Sequence, residues 1–198
     1  MSGRIVTPDL YRRMPWKNGG GETIEIAKFP PDSDLDSFSW RISTATVASD
    51  GPFSTFAGID RTLCVLSGNG ISLTFGSDEP LVLNENMAPF SFSADASATA
   101  RLIKGPITDL NVMTRRAGWH QEVHRRQVRT GDALLVEADV TWTVVFCRSG
   151  AMVTKDETGV SRLPSMGTLL IEGGANPCKL RAIEPTIVFV ILLEQTAL

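Results

Sequence analysis

Short β-branched and aromatic stretches recur along the whole chain between turn signals: GETIEIAKF, FSWRISTATV, RTLCVLSGNGISLTF, ARLIKG and DLNVMTRR, then ALLVEA, TWTVVFCRSGAMVTKD, TLLIEG and TIVFVILLE. None carries a convincing 3.6-residue period of apolar positions. Strands so short and so evenly spaced bury their apolar faces by stacking sheet on sheet or by curling into a barrel, so the expected fold is all-β with little helix.

The turns add a second constraint. SGNG at 67–70 and RSG at 148–150 each separate two apolar runs and read as hairpin connections. Each is followed by a matching series of elements, and placing Pro106 over Pro185 sets RLIKGPITDLNVM against LRAIEPTIVFVIL. That is the pattern of an internal duplication, although the second hairpin is offset by three residues relative to the first. In this alignment Asp109 and Asn111 fall opposite Val188 and Val190. Valines can only pack, whereas an acid and an amide in a barrel mouth can bind. Ligand chemistry is therefore expected in the first half, about residues 1–114, and a mainly structural role in 115–198, with strands open to exchange between the halves.

The 198 residues carry 19 basic and 22 acidic side chains, a net −3, which argues against a nucleic-acid partner. Cys64, Cys147 and Cys178 are few, odd in number and far apart, unlike a secreted disulfide scaffold. The first residues lack the apolar core of a signal peptide, and TIVFVILL at 186–193 is too short to span a bilayer. A soluble cytoplasmic protein with no membrane partner is expected.

The stretch TRRAGWHQEVHRRQVRTGD at 114–132 reads as a solvated strand face between the halves. His120 and His124 would lie about 13 Å apart along such a strand, without a third histidine nearby, which is poor geometry for a metal. Two other features are more informative. Arg41 and Ser43 alternate with Trp40 and Ile42, and Arg61 opens an apolar strand, so guanidinium groups sit among residues bound for the interior. Each requires a counter-charge, from Asp50, Asp60, Asp109 or a bound anion. The run WKNGGG at 16–21 gives the backbone unusual freedom after an aromatic anchor. It either launches the next strand as a tight bend or also holds Lys17 and Asn18 at a cavity rim.

PWKNGGGETIEIA, FSWRIS, DGPFSTFAGIDRTLCVLSGNG and GPITDLNVMTRR, spanning about 15–116, together closely resemble the HutD/Ves family. The resemblance implies a bicupin: two small antiparallel jelly-roll-type β-barrels in one chain. Metal-binding cupins carry two histidines and a glutamate on the first motif. Here Phe53, Ser54 and Arg61 stand in those places, which turns a cation site into an anion site, so no metal and no cofactor are expected. The HutD branch is associated with regulation of histidine utilisation, with N-formyl-L-glutamate a suggested ligand. The resemblance thus implies a metal-free protein binding a small carboxylate metabolite through Lys17, Asn18, Trp40, Arg41, Ser43, Arg61 and Asn111. No catalytic residue stands out. The alternatives are a metal-independent cupin enzyme using Lys17 or Asp109 for proton transfer, and a stress-associated protein of the Ves branch. Pairing into a homodimer through sheet edges is left open.

Overall fold

The structure, a computed structural model, describes residues 3–16, 19–156 and 159–196. Among them are nineteen strands and one 3-10 turn at Pro8–Leu10. The first strands are β1 (Gly3–Val6), β2 (Arg12–Pro15), β3 (Gly21–Phe29), β4 (Trp40–Val47), β5 (Gly51–Pro52) and β6 (Ile59–Ser67). They are followed by β7 (Ile71–Phe75), β8 (Leu81–Leu83), β9 (Phe90–Ser93), β10 (Ala98–Leu102) and β11 (Ile107–Arg115). The second series is β12 (Trp119–Val128), β13 (Ala133–Val136), β14 (Trp142–Ser149) and β15 (Met152–Asp156). It ends with β16 (Gly159–Leu163), β17 (Thr168–Glu172), β18 (Cys178–Ala182) and β19 (Thr186–Gln195).

Residues 12–119 form one compact unit, and 120–196 together with 3–11 form another. In the first, a six-stranded sheet of order β2-β3-β4-β11-β6-β9 accompanies a four-stranded sheet β5-β10-β7-β8. In the second, a sheet β1-β17-β14-β19-β12 accompanies β13-β18-β15-β16. With the appended β1, β2 and β3 set aside, the orders coincide when each strand is advanced by eight. Every pairing with an assigned register is antiparallel. Each unit is thus a jelly roll of two sheets that stay open and do not close into a barrel.

The repeat holds at the level of single residues. β11 and β6 pair with one bulge between Thr108 and Asp109, and β14 and β19 pair with one between Cys147 and Ser149. Gly68 and Gly150 both have positive φ, 96° and 80°. A Cβ there would lie 2.6 Å from the Pro106 carbonyl oxygen in one unit and 2.4 Å from that of Pro185 in the other, so only glycine fits. The structure therefore matches Asp109 to Val188 and Asn111 to Val190. It also matches Arg61, which faces Met113, to Thr143, which faces Leu192.

Alternation along the strands builds each core from both sheets. Val47, Leu63, Val65, Ile71, Leu73, Leu83 and Ile107 fill the first unit, and Val145, Met152, Leu163, Leu169, Leu180 and Val188 the second. Burying one such side chain contributes roughly 1.5–3 kcal/mol. The N-terminal segment is held in the second unit by β1 pairing with β17 and by Tyr11. The Tyr11 hydroxyl donates to the Met166 carbonyl at 2.8 Å and lies 2.7 Å from the Thr168 hydroxyl.

Candidate functional site

In the first unit the inner face of the large sheet is apolar at both ends and polar between. Val47, Val65 and Ile107 lie in one cluster, and Phe38, Ile59, Ala94 and Met113 in another. Two cross-strand rows fall between: Glu25–Ser43–Asn111–Leu63–Phe90, and Lys28–Arg41–Met113–Arg61–Phe92. Asp109 sits one row deeper, between Ala45 and Val65.

Glu25 and Lys28 are three residues apart, and strict alternation would put them on opposite faces. A bulge between Glu25 and Ala27 changes the parity and brings both to Arg41. Arg41 Nε donates to Glu25 Oε2 at 2.8 Å, and Lys28 Nζ lies 3.5 Å from Glu25 Oε1. Arg41 Nη1 also reaches the Ser43 hydroxyl at 3.5 Å. Burial pushes the Glu25 carboxyl up, but the Arg41 hydrogen bond and the charges of Arg41 and Lys28 together hold it below its ordinary value. Among the described residues the counter-charge of Arg41 is Glu25, which the sequence reading did not include. Asp60 instead pairs with Arg116 at 2.8 Å.

Arg61, 8 % exposed, donates through Nε at 2.8 Å, and also through Nη2, to the single acceptor Asn111 Oδ1. The amide of Asn111 donates in turn to Asp109 Oδ1 at 2.5 Å. The guanidinium carbon lies 4.5 Å from the centre of the Phe53 ring and 5.8 Å from that of Phe92. Burial lowers the Arg61 pKa to about 10, with Asp109 opposing the shift and Arg41 adding to it. Asp109 is completely buried, and its Oδ2 has no hydrogen-bond partner among the described residues. Burial raises its pKa to about 6 against the pull of Arg61, the Asn111 hydrogen bond and the backbone N–H of Ala45.

The structure brings together Arg41, Ser43, Arg61 and Asn111. Trp40 stands apart, because alternation turns it to the opposite face of β4, where its ring stacks on Phe29 at 6.2 Å. Lys17 and Asn18 lie outside the described residues. Trp16 N–H donates to the Gly21 carbonyl at 2.9 Å, and Gly19 N–H to that of Trp16 at 3.1 Å. Gly21 passes so close to β4 that a Cβ would lie 2.0 Å from the Thr46 carbonyl oxygen. Gly21 therefore serves a close backbone approach, whereas Gly19 takes a positive φ of 70° in open space. Sequence reasoning missed Glu25, Lys28 and the aromatic neighbours of Arg61 as members of the site.

The 114–132 stretch largely forms β12, with Trp119 and Gln121 buried and His120 and Glu122 exposed. His124 and His120 both approach Glu122, at 3.1 and 3.9 Å. Among the described residues no group of three His, Cys, Asp or Glu side chains could hold a metal ion. The donor set around Arg61, a guanidinium with two phenyl rings, does not fit one. No helix of the described residues is long and apolar enough to cross a membrane.

Two jelly rolls in one chain define a bicupin, and the first has cations built into its inner face. Oxalate decarboxylase from Bacillus subtilis shares this fold at a TM-score of 0.69 and 8% identity, over 98% of this chain and 77% of that one. The HutD family model matches residues 9–188, and the chain belongs to the HutD family. Protein Ves of Citrobacter koseri is 36% identical over 74% of each chain. An uncharacterised 21.2 kDa protein in the hutC 3′ region of Pseudomonas putida is 42% identical, over 52% of this chain and 53% of its own length. HutD from Pseudomonas fluorescens SBW25 superposes with a TM-score of 0.81 at 29% identity, covering 98% of this chain and all of that one.

Proposed function

We propose that the first unit binds a small carboxylate metabolite and that binding modulates histidine utilisation. The observation that carries the reading is the Arg61 guanidinium. It is withdrawn from solvent and tied along one edge to a neutral amide, so its remaining N–H donors, which meet no acceptor among the described residues, can take a planar anion. Among the described residues the acids paired with Lys28, Arg41 and Arg61 are Glu25 and Asp109, which leaves one positive charge in excess even when both acids are ionised. A dicarboxylate carrying an amide-like group matches the site, and N-formyl-L-glutamate is the ligand proposed. The link to histidine breakdown draws support from HutD itself and from the Pseudomonas putida relative encoded beside hutC. The Pseudomonas fluorescens structure obtained in a formate condition directs attention to the formyl group as well.

A thermal-shift screen of N-formyl-L-glutamate, urocanate, formate and glutamate, followed by calorimetric titration, tests this. The expected result is one site per chain for N-formyl-L-glutamate, lost in Arg61→Ala with the fold intact. Equal binding to wild type and Arg61→Ala, or no binding of any of the four, would remove the assignment.

A further inference from the structure

We propose that Asp109 is a positioning residue for the anion site: through Asn111 it fixes which edge of Arg61 is free, and it couples anion binding to uptake of one proton. The inference rests on the anion-site reading above and deepens it.

An isolated asparagine amide can present either its oxygen or its nitrogen to a neighbour. Here Asp109 Oδ1 accepts from Asn111 Nδ2, so the amide oxygen must face the other way, toward Arg61. That oxygen engages the Nε–Nη2 edge of the guanidinium and leaves Nη1 without a partner among the described residues. Phe53 lies against the guanidinium, and Phe92, directly opposite Arg61 on β9, is the second ring beside it. A carboxylate arriving in the guanidinium plane can therefore pair with the Nη1 side alone. Asp109 never touches it.

The same geometry ties binding to protonation. Asp109 is enclosed, and its second oxygen accepts no hydrogen bond from a described residue. The charged or titratable groups that act on it directly are Arg61 and Cys64 on β6; Arg41 on β4 acts on Arg61, with Glu25 and Lys28 beyond Arg41 on β3. Arg61 is thus the cation that keeps Asp109 ionised. A ligand carboxylate that pairs with Arg61 brings a second negative charge into the same enclosed region, and a proton taken from solvent onto Asp109 relieves the repulsion. The buried carboxyl already holds its proton up to about pH 6, so this uptake falls within ordinary conditions.

The test pairs NMR with calorimetry. In ligand-free protein, the Asp109 carboxyl carbon and the Arg61 Nε–H signal are followed between pH 4.5 and 8, a range chosen to bracket the value near 6. The two should titrate together in wild type and separate in Asn111→Ala, while Asp109→Asn abolishes the Arg61 response. Titration with N-formyl-L-glutamate in two buffers of different ionisation enthalpy should show close to one proton taken up. Binding should weaken about tenfold for each pH unit of rise above the value near 6, and be independent of pH in Asp109→Asn. An Arg61 signal blind to Asp109, or the same pH dependence in Asp109→Asn, would overturn the proposal. Coupled titration without binding of N-formyl-L-glutamate or formate would uphold Asp109 as positioning Arg61 and overturn the anion-site reading instead.

Discussion

The two units share one strand order and one bulge, yet they fill matching positions with opposite chemistry. Where the first places Arg61, Asp109 and Asn111, the second places Thr143, Val188 and Val190. Val188 is fully buried in an apolar cluster that Val190 packs against. The polar trio instead spends part of its unit's interior on groups that must satisfy one another. A jelly roll of this size closes its core without such a layer, as the second unit shows, so folding alone does not call for the layer in the first.

The sharpest way to break that comparison is to import the first unit's acid into the second. Val188→Asp lacks the Arg61 and Asn111 counterparts, so it should lose about 3–5 kcal/mol of stability, read by denaturant unfolding. A tolerated Val188→Asp would mean that the second interior is wet. Next, Arg61→Ala should reduce affinity for N-formyl-L-glutamate by roughly 2–5 kcal/mol, with Arg61→Lys recovering only part because an ammonium lacks the planar fork. Calorimetry beside a melting curve separates this outcome from unfolding.

Two pH profiles sharpen the contrast further, with opposite signs. Asp109 has a folded-state pKa of about 6 against 3.8 for the free group, so its contribution is fully favourable below 3.8 and is lost as pH rises to about 6. Wild type should therefore lose stability relative to Asp109→Asn across that window, by on the order of 2–3 kcal/mol. Glu25 is shifted down, so its contribution is present above 4.5 and disappears as pH falls through the lower folded value. The difference between wild type and Glu25→Gln should shrink on acidification, and equal profiles for the two acids would refute the assigned environments. The smallest effect belongs to Lys28, whose side chain is 16 % exposed and screened in part. Lys28→Ala should weaken N-formyl-L-glutamate binding by about 1 kcal/mol or less in the same calorimetric assay.

Much of this was legible before the structure. Alternating strands, the paired turn glycines and the Pro106 and Pro185 positions carried the doubled jelly roll, because register and turn chemistry are local. Arg41, Arg61 and Asn111 stood out as polar groups on strands bound for a core. Glu25 and Lys28 did not, because the bulge at Ile26 leaves no mark in the sequence and reverses the parity on which face assignment depends. Trp40 is the reverse case: its neighbour Arg41 faces the site, so alternation by itself places Trp40 on the other side. The contacts of Arg61 with Phe53 and Phe92 depend on a loop and an edge strand approaching from distant parts of the chain.

The placement of residues 3–11 has a consequence in time. All strands of the first unit lie within 12–119, so that unit can close as soon as its own segment has been synthesised. The second cannot, since Tyr11 meets Thr168 across 157 residues of chain. At roughly 5–20 residues per second, the earliest strand waits on the order of 10–30 s for its partner to be made. Protease protection of stalled nascent chains should show β1 leaving the ribosome ahead of the other described strands and among the last of them to be shielded. The order in which this protein is made is not the order in which it is finished.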